Sequence, residues 1–186
     1  MKIDQNSNLL TSADYKPSSH CDDRPLNTPI DMIVVHNISL PPGEFGGGYV
    51  QSFFCGQLDF SLHTYFETIA SLKVSSHLFI DRGGKITQFV PFAKRAWHAG
   101  VSSFKGRERC NDFSIGIELE GTDDLPYEPT QYQVLADIIQ CLMMKYPAIH
   151  REHIVGHADI APQRKTDPGP AFDWAYLNKL LDECRG

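Results

Sequence analysis

Met32-Ile33-Val34-Val35, an unbroken apolar run ending at His36-Asn37, constrains the fold of this chain more than any other feature. Four apolar side chains in succession suit a strand buried on both faces, the pattern of the middle of a sheet. A histidine closing such a strand emerges where the strand leaves the sheet.

Other segments supply the elements around it. Residues 74–80 and 86–90 predict two strands joined through Asp81-Arg82-Gly83-Gly84, whose glycines suit the positive φ of a hairpin turn. Residues 113–119 alternate: Phe113, Ile115, Ile117 and Leu119 share one face, and Ser114, Gly116, Glu118 and Glu120 share the other. Residues 130–146 predict the clearest helix, with Tyr132, Leu135, Ala136, Ile139, Leu142, Met143 and Tyr146 on one stripe. Pro129 suits its first turn and Pro147 ends it. Residues 61–72 allow a helix with Leu62, Phe66, Ile69 and Ala70 inward, and residues 153–157 a short strand or turn. Asp173 caps a last helix whose inner face is Trp174, Leu177, Leu180 and Leu181. Leu40-Pro41-Pro42 and Gly46-Gly47-Gly48 form a loop. Residues 1–29, polar and rich in Pro, Ser, Asn and Asp, form an arm packed over the domain. Strands mixed with helices, with one hairpin, predict a mixed α/β or α+β sheet flanked by helices.

A chain of 186 residues fits a single domain over 1–186, with enough core to stand without disulfides or metal staples. Net charge of −6 and a pI near 5.7 argue against a nucleic-acid partner, which normally meets a basic stripe. The opening MKIDQNSNLL has one lysine and no long apolar run, so neither a signal peptide nor an anchor is expected. Nor does any apolar stretch approach the length of a membrane span. The cysteines Cys21, Cys55, Cys110, Cys141 and Cys184 are odd in number and never at C-x-x-C spacing. They read as reduced thiols, which fits the cytoplasm.

Three stretches are candidates for chemistry: Val34-Val35-His36-Asn37; Gly156-His157-Ala158-Asp159-Ile160-Ala161-Pro162; and Lys165-Thr166-Asp167-Pro168-Gly169-Pro170. The prolines of the third predict an extended, stiff segment, in which Lys165 and Asp167 point the same way about 7 Å apart. Two histidines and one carboxylate leave a fourth tetrahedral position open, the pattern of a hydrolytic zinc site. Asp159 and Asp167 both qualify as the carboxylate. Glu118 is the candidate base, Glu120 lying nearer the rim, and Lys165 is the candidate cation for an oxyanion. Blander readings stand beside these. His36 also suits a core or capping histidine, Glu118 a solvent-facing strand position, and Trp97-His98-Ala99-Gly100 a packed turn. Arg107 and Arg109 suit solvated loop charges.

The stretches at residues 34–47, 74–123 and 155–174 resemble the zinc amidases of the N-acetylmuramoyl-L-alanine amidase family. That family shares a fold with phage T7 lysozyme and the peptidoglycan recognition proteins. The likeness is strongest to its cytosolic branch, which acts on 1,6-anhydro-N-acetylmuramyl peptides in peptidoglycan recycling. It implies His36, His157 and Asp167 as ligands of one zinc ion, with Glu118 and Lys165 as catalytic partners, and so favours Asp167 over Asp159. It implies Asn37, Trp97, His98 and Arg109 as substrate contacts, a guanidinium being suited to fork onto a stem-peptide carboxylate. The expected partner is a soluble anhydromuropeptide, with no membrane and no protein partner evident. The rival expectations are a non-catalytic muramyl-peptide binder, an amidase of polymeric wall, and histidines with a purely structural role.

Overall fold

The computed structural model describes residues 1–183. In chain order its strands are β1 (Asp14–Tyr15), β2 (Cys21–Asp23), β3 (Met32–Ile38), β4 (Leu78–Ile80), β5 (Ile86–Gln88), β6 (Lys94–Ala96), β7 (Ser103–Phe104), β8 (Arg107–Glu108), β9 (Ser114–Glu120) and β10 (Ile154–Gly156). Its helices are α1 (Tyr49–Phe54), α2 (Thr64–Ile69), α3 (Pro129–Lys145), α4 (His157–Ile160) and α5 (Trp174–Glu183).

Six strands form the main sheet in the order β1-β5-β4-β9-β3-β10. β3 is flanked by β9 and β10, both parallel to it, so every residue from Met32 to His36 is buried. The expected central strand is therefore present. Only the β4–β5 hairpin is antiparallel within this sheet. At its turn Asp81 accepts from the backbone N–H of Gly84 and Lys85, and Gly84 takes φ 83°, which a glycine adopts without strain. The two strands are shorter than their apolar patterns suggest, because pairing stops at Leu78 and Gln88.

One face of the sheet offers Ile33, Val35, Leu78, Ile80, Ile115, Ile117 and Leu119 to α3 and α5. Glu128 caps α3 in a reciprocal box with Gln131, and Asp173 caps α5 through the Tyr176 N–H at 2.8 Å. On the other face, α1 and α2 cover Phe79 and Phe89, while Ile160 of α4 joins Met32, Val34, Cys110 and Phe113. Phe113 thus departs from the expected alternation: it precedes β9 in a non-strand conformation and packs on the opposite side from Ile115. The helix expected over 61–72 is shorter as well. α2 buries Phe66 and Ile69, whereas Leu62 lies in a preceding 3-10 turn, 59% exposed, and Ala70 faces solvent.

The arm is woven into the sheet. β1 adds a parallel edge strand beside β5, β2 pairs with β6, and the buried Leu10 gives its N–H to the Gln88 side chain at 2.7 Å. Cys21, Cys55, Cys110 and Cys141 are free thiols, and Cys184 lies outside the described residues. Among the described residues no helix is long and apolar enough to cross a membrane.

Candidate metal centre

The parallel alignment of β3, β9 and β10 brings their carboxyl ends together, and the chemistry gathers there. Glu118 on β9 stands directly opposite His36 on β3. Gly156 ends β10 opposite Val35, so the next residue, His157 at the start of α4, arrives beside His36. Asp167 reaches the same point from the following loop. His36 Nδ1 and His157 Nδ1 are 3.0 Å apart, and Asp167 Oδ2 lies 3.0 Å from the first and 3.1 Å from the second. Donors held at about 2.1 Å around a tetrahedral cation stand about 3.4 Å apart, so this triangle is close to three corners of that shape.

The tautomers suit a cation. His157 directs Nε2 at the Ala99 carbonyl, 3.1 Å away, which puts its proton there and a lone pair on Nδ1. Burial lowers the His36 pKa to about 4, chiefly by desolvation, so this imidazole is neutral and able to ligate. Two imidazole nitrogens and a carboxylate oxygen converging in a buried corner are a donor set for a metal ion. Asp159, the rival carboxylate, accepts instead from the Gly156 N–H at 2.7 Å.

Glu118 is buried beside the triad, and its Oε2 has no hydrogen-bond partner among the described residues. Desolvation, helped by the nearby Asp167 charge, raises its pKa well above the ordinary glutamate value, while Lys165 pulls the other way. Lys165 and Asp167 line one cleft, as expected, but the segment carrying them is not extended. Lys165 N–H turns back to the Ala161 carbonyl, and Gly169 N–H to that of Thr166. The Pro168 carbonyl between them is gripped by Asn37 Nδ2 at 3.1 Å and Tyr127 OH at 2.7 Å.

The cleft has a volume of about 610 Å³ and joins this polar corner to an apolar wall that includes Leu40, Phe53, Tyr65, Ile69 and Leu72. Asn37 and His98 line it, whereas Trp97 and Arg109 are not among its lining residues. Trp97 Nε1 donates to Asp22 and Arg109 turns to Asp112. Asn37 spends both amide protons on Asp123 and Pro168, and His98 lies between His36 and Ser114. Asn111 escaped the sequence reading: its Oδ1 accepts the N–H groups of both His98 and Ala99, at 3.1 and 2.8 Å. A lone asparagine in a polar loop gives no pattern from which this could be read.

A profile of the N-acetylmuramoyl-L-alanine amidase family matches residues 26–170. The chain belongs to that family. This amidase is 58% identical over 172 residues to the 1,6-anhydro-N-acetylmuramyl-L-alanine amidase AmpD of Citrobacter freundii, a match covering 92% of this chain and 91% of the relative. It superposes on a crystal structure of a selenomethionine AmpD derivative with a TM-score of 0.94, at 56% identity, covering 97% and 99% of the two chains. A more distant match is the Escherichia coli amidase AmiD, solved in complex with the substrate anhydro-N-acetylmuramic acid-L-Ala-D-γ-Glu-L-Lys. There the identity is 34% and the TM-score 0.60, with 83% of this chain and 59% of that one covered. The expected fold, the mixed sheet of the T7 lysozyme-like amidases, is the fold of this enzyme.

Proposed function

We propose that this amidase acts in the cytoplasm as a single zinc-dependent domain on soluble anhydromuropeptides in peptidoglycan recycling. The bond cleaved joins the lactyl group of 1,6-anhydro-N-acetylmuramic acid to L-alanine of the stem peptide. The observation that carries this reading is the convergence of His36, His157 and Asp167 beside an unpartnered, buried Glu118 in one open cleft. Likeness to AmpD supports the choice of substrate.

His36, His157 and Asp167 would hold the zinc ion, which when bound supplies Lewis acidity that polarises a carbonyl and acidifies water. Glu118 takes a proton from the attacking water, the water oxygen bonding to the carbonyl carbon as the carbonyl π electrons move onto oxygen. The Lys165 ammonium stabilises that developing negative oxygen. Glu118 then hands its proton to the alanine nitrogen as the carbon–nitrogen bond breaks, releasing a free amine and a lactyl carboxylic acid. Its raised pKa suits both roles, since a carboxylate that accepts a proton readily can hold it until the amine departs.

Metal content, measured beside turnover of anhydro-N-acetylmuramyl-tripeptide before and after chelation, tests the reading. About one zinc per chain is expected, with activity lost on chelation and restored by zinc. Protein that binds the muropeptide but stays inactive with added zinc would instead be a binding module. Faster turnover of intact sacculi than of the soluble tripeptide would shift the substrate to polymeric wall.

A further inference from the structure

Behind His36 runs a chain of buried polar groups that the proposed reaction does not use. His36 Nε2 is 2.9 Å from His98 Nδ1, His98 Nε2 is 3.1 Å from Ser114 Oγ, and Ser114 Oγ is 2.6 Å from the Cys110 carbonyl. The protons along it can be assigned from the far end. A carbonyl oxygen only accepts, so the one hydroxyl proton of Ser114 goes to Cys110 and its oxygen is an acceptor toward His98. A neutral His98 therefore carries its single proton on Nε2 and offers a bare Nδ1 to His36. His36 in turn donates from Nε2, which leaves its Nδ1 lone pair facing His157 and Asp167.

We infer that His98 is a positioning residue: with Ser114 behind it, it fixes the tautomer in which His36 can ligate a metal. This rests on the metal-centre reading of His36. The opposite tautomer would put a proton on His36 Nδ1, in the middle of the donor triangle, where it occupies the lone pair the metal requires.

Two independent features are built around the ring of His98. A Cβ at Gly116 would stand 2.4 Å from His98 Cγ and 2.6 Å from its Nδ1. β9 therefore gives up a side chain at the one position where the imidazole lies flat against it. The Asn111 carboxamide holds the His98 backbone from the other side, and through Ala99 it aligns the carbonyl that orients His157. One side chain thus holds the backbone of both residues that supply the acceptors behind the histidines, and Arg164 Nη2 also donates to the Ala99 carbonyl at 2.7 Å. Although His98 borders the cleft, both its ring nitrogens are spent inward.

Long-range nitrogen–proton NMR of the zinc-loaded wild-type protein reads the tautomers directly. His98 should report a protonated Nε2 and a bare Nδ1. His98→Leu, which removes the acceptor, should raise the zinc dissociation constant about 10–100-fold in competition with a chromophoric chelator. His98→Gln, whose carboxamide again offers both an acceptor and a donor, should recover most of that loss. A merely structural role would lower the melting temperature of both variants without separating their zinc affinities. Zinc-loaded wild-type protein with the proton on His98 Nδ1 would overturn the assignment alone, as would a folded His98→Leu that holds zinc as tightly as wild type. Wild-type protein that takes up no zinc would overturn the metal centre and this inference with it. Because the tautomer measurement needs no variant, it decides the matter even where His98→Leu fails to fold.

Discussion

Both faces of β9 are buried, and they do opposite work. Ile115, Ile117 and Leu119 enter the core beneath α3 and α5, while Ser114, Gly116, Glu118 and Glu120 lie on the opposite, also buried side, where Glu118 borders the cleft. On that side Ser114 meets His98, Gly116 makes room for its ring, Glu118 faces the metal corner and Glu120 accepts from the N–H of Gly46 and Arg82. An alternating strand is usually read as half-solvated. Here the polar half is buried too, partnered at Ser114 and Glu120 and unpartnered at Glu118, so one strand carries stability on one face and the proposed chemistry on the other.

Substitutions on the two faces should separate these contributions. Glu118→Ala should lower turnover about 10²–10⁴-fold, the usual span for loss of an acid–base group, with zinc content unchanged. His157→Ala, by contrast, should lose metal and turnover together. Near wild-type rates in Glu118→Ala would end its assignment as the base. Across the strand, Ile117→Ala should cost about 2–5 kcal/mol in chemical denaturation through the cavity it leaves. Activity per folded molecule should hold, and a large fall in that ratio would erase the division between the faces. Gly116→Ala should cost about 1–3 kcal/mol by overpacking against His98, and its zinc affinity should fall where that of Ile117→Ala does not.

The smallest effect concerns pH. Burial first, and Asp167 second, raise the folded-state pKa of Glu118 above its unfolded value. The folded state then binds more protons than the unfolded one, so this group lowers stability as pH climbs from the ordinary value of 4.5 toward the raised one. Metal-free Glu118→Gln should therefore be more stable than metal-free wild type at neutral pH, with the gap closing as pH falls to 4.5. Denaturation curves across that range that run parallel would refute the raised pKa.

The sequence displays the apolar half of this arrangement and only part of the polar half. Met32 to Val35 declares a central strand because both faces of β3 are greasy, and α3 declares itself through its stripe and its two prolines. His36 and His157 stand out as histidines at strand ends, yet their meeting depends on the register of β10 against β3, which no local pattern encodes. The residues alone left the third donor open between Asp159 and Asp167, and the resemblance favoured Asp167. In the structure Asp159 accepts from the Gly156 N–H while Asp167 meets the two histidines. His98 and Asn37 entered as substrate contacts through the resemblance alone. Both line the cleft, and the hydrogen bonds of their nitrogens to protein groups are visible only in the folded chain. Asn111 left no trace, because its role is a single carboxamide oxygen shared by two backbone groups.

The arm carries one more side chain of consequence. Arg24 reaches under the sheet and donates to the carbonyls of Asn111, Asp112 and Ser114, the same short stretch from which His98 and Ala99 are hung. It lies just upstream of residues 26–170, the segment that the family profile matches. A version trimmed to the shared segment would keep every proposed ligand and still lose the guanidinium, leaving the carbonyls of Phe92, Asn111, Asp112 and Ser114 to find new donors at about 1–3 kcal/mol each where they stay dry. The family profile thus begins past a side chain on which the backbone of the site leans, and a fragment starting at residue 26 is expected to unfold at lower denaturant than one that keeps Arg24.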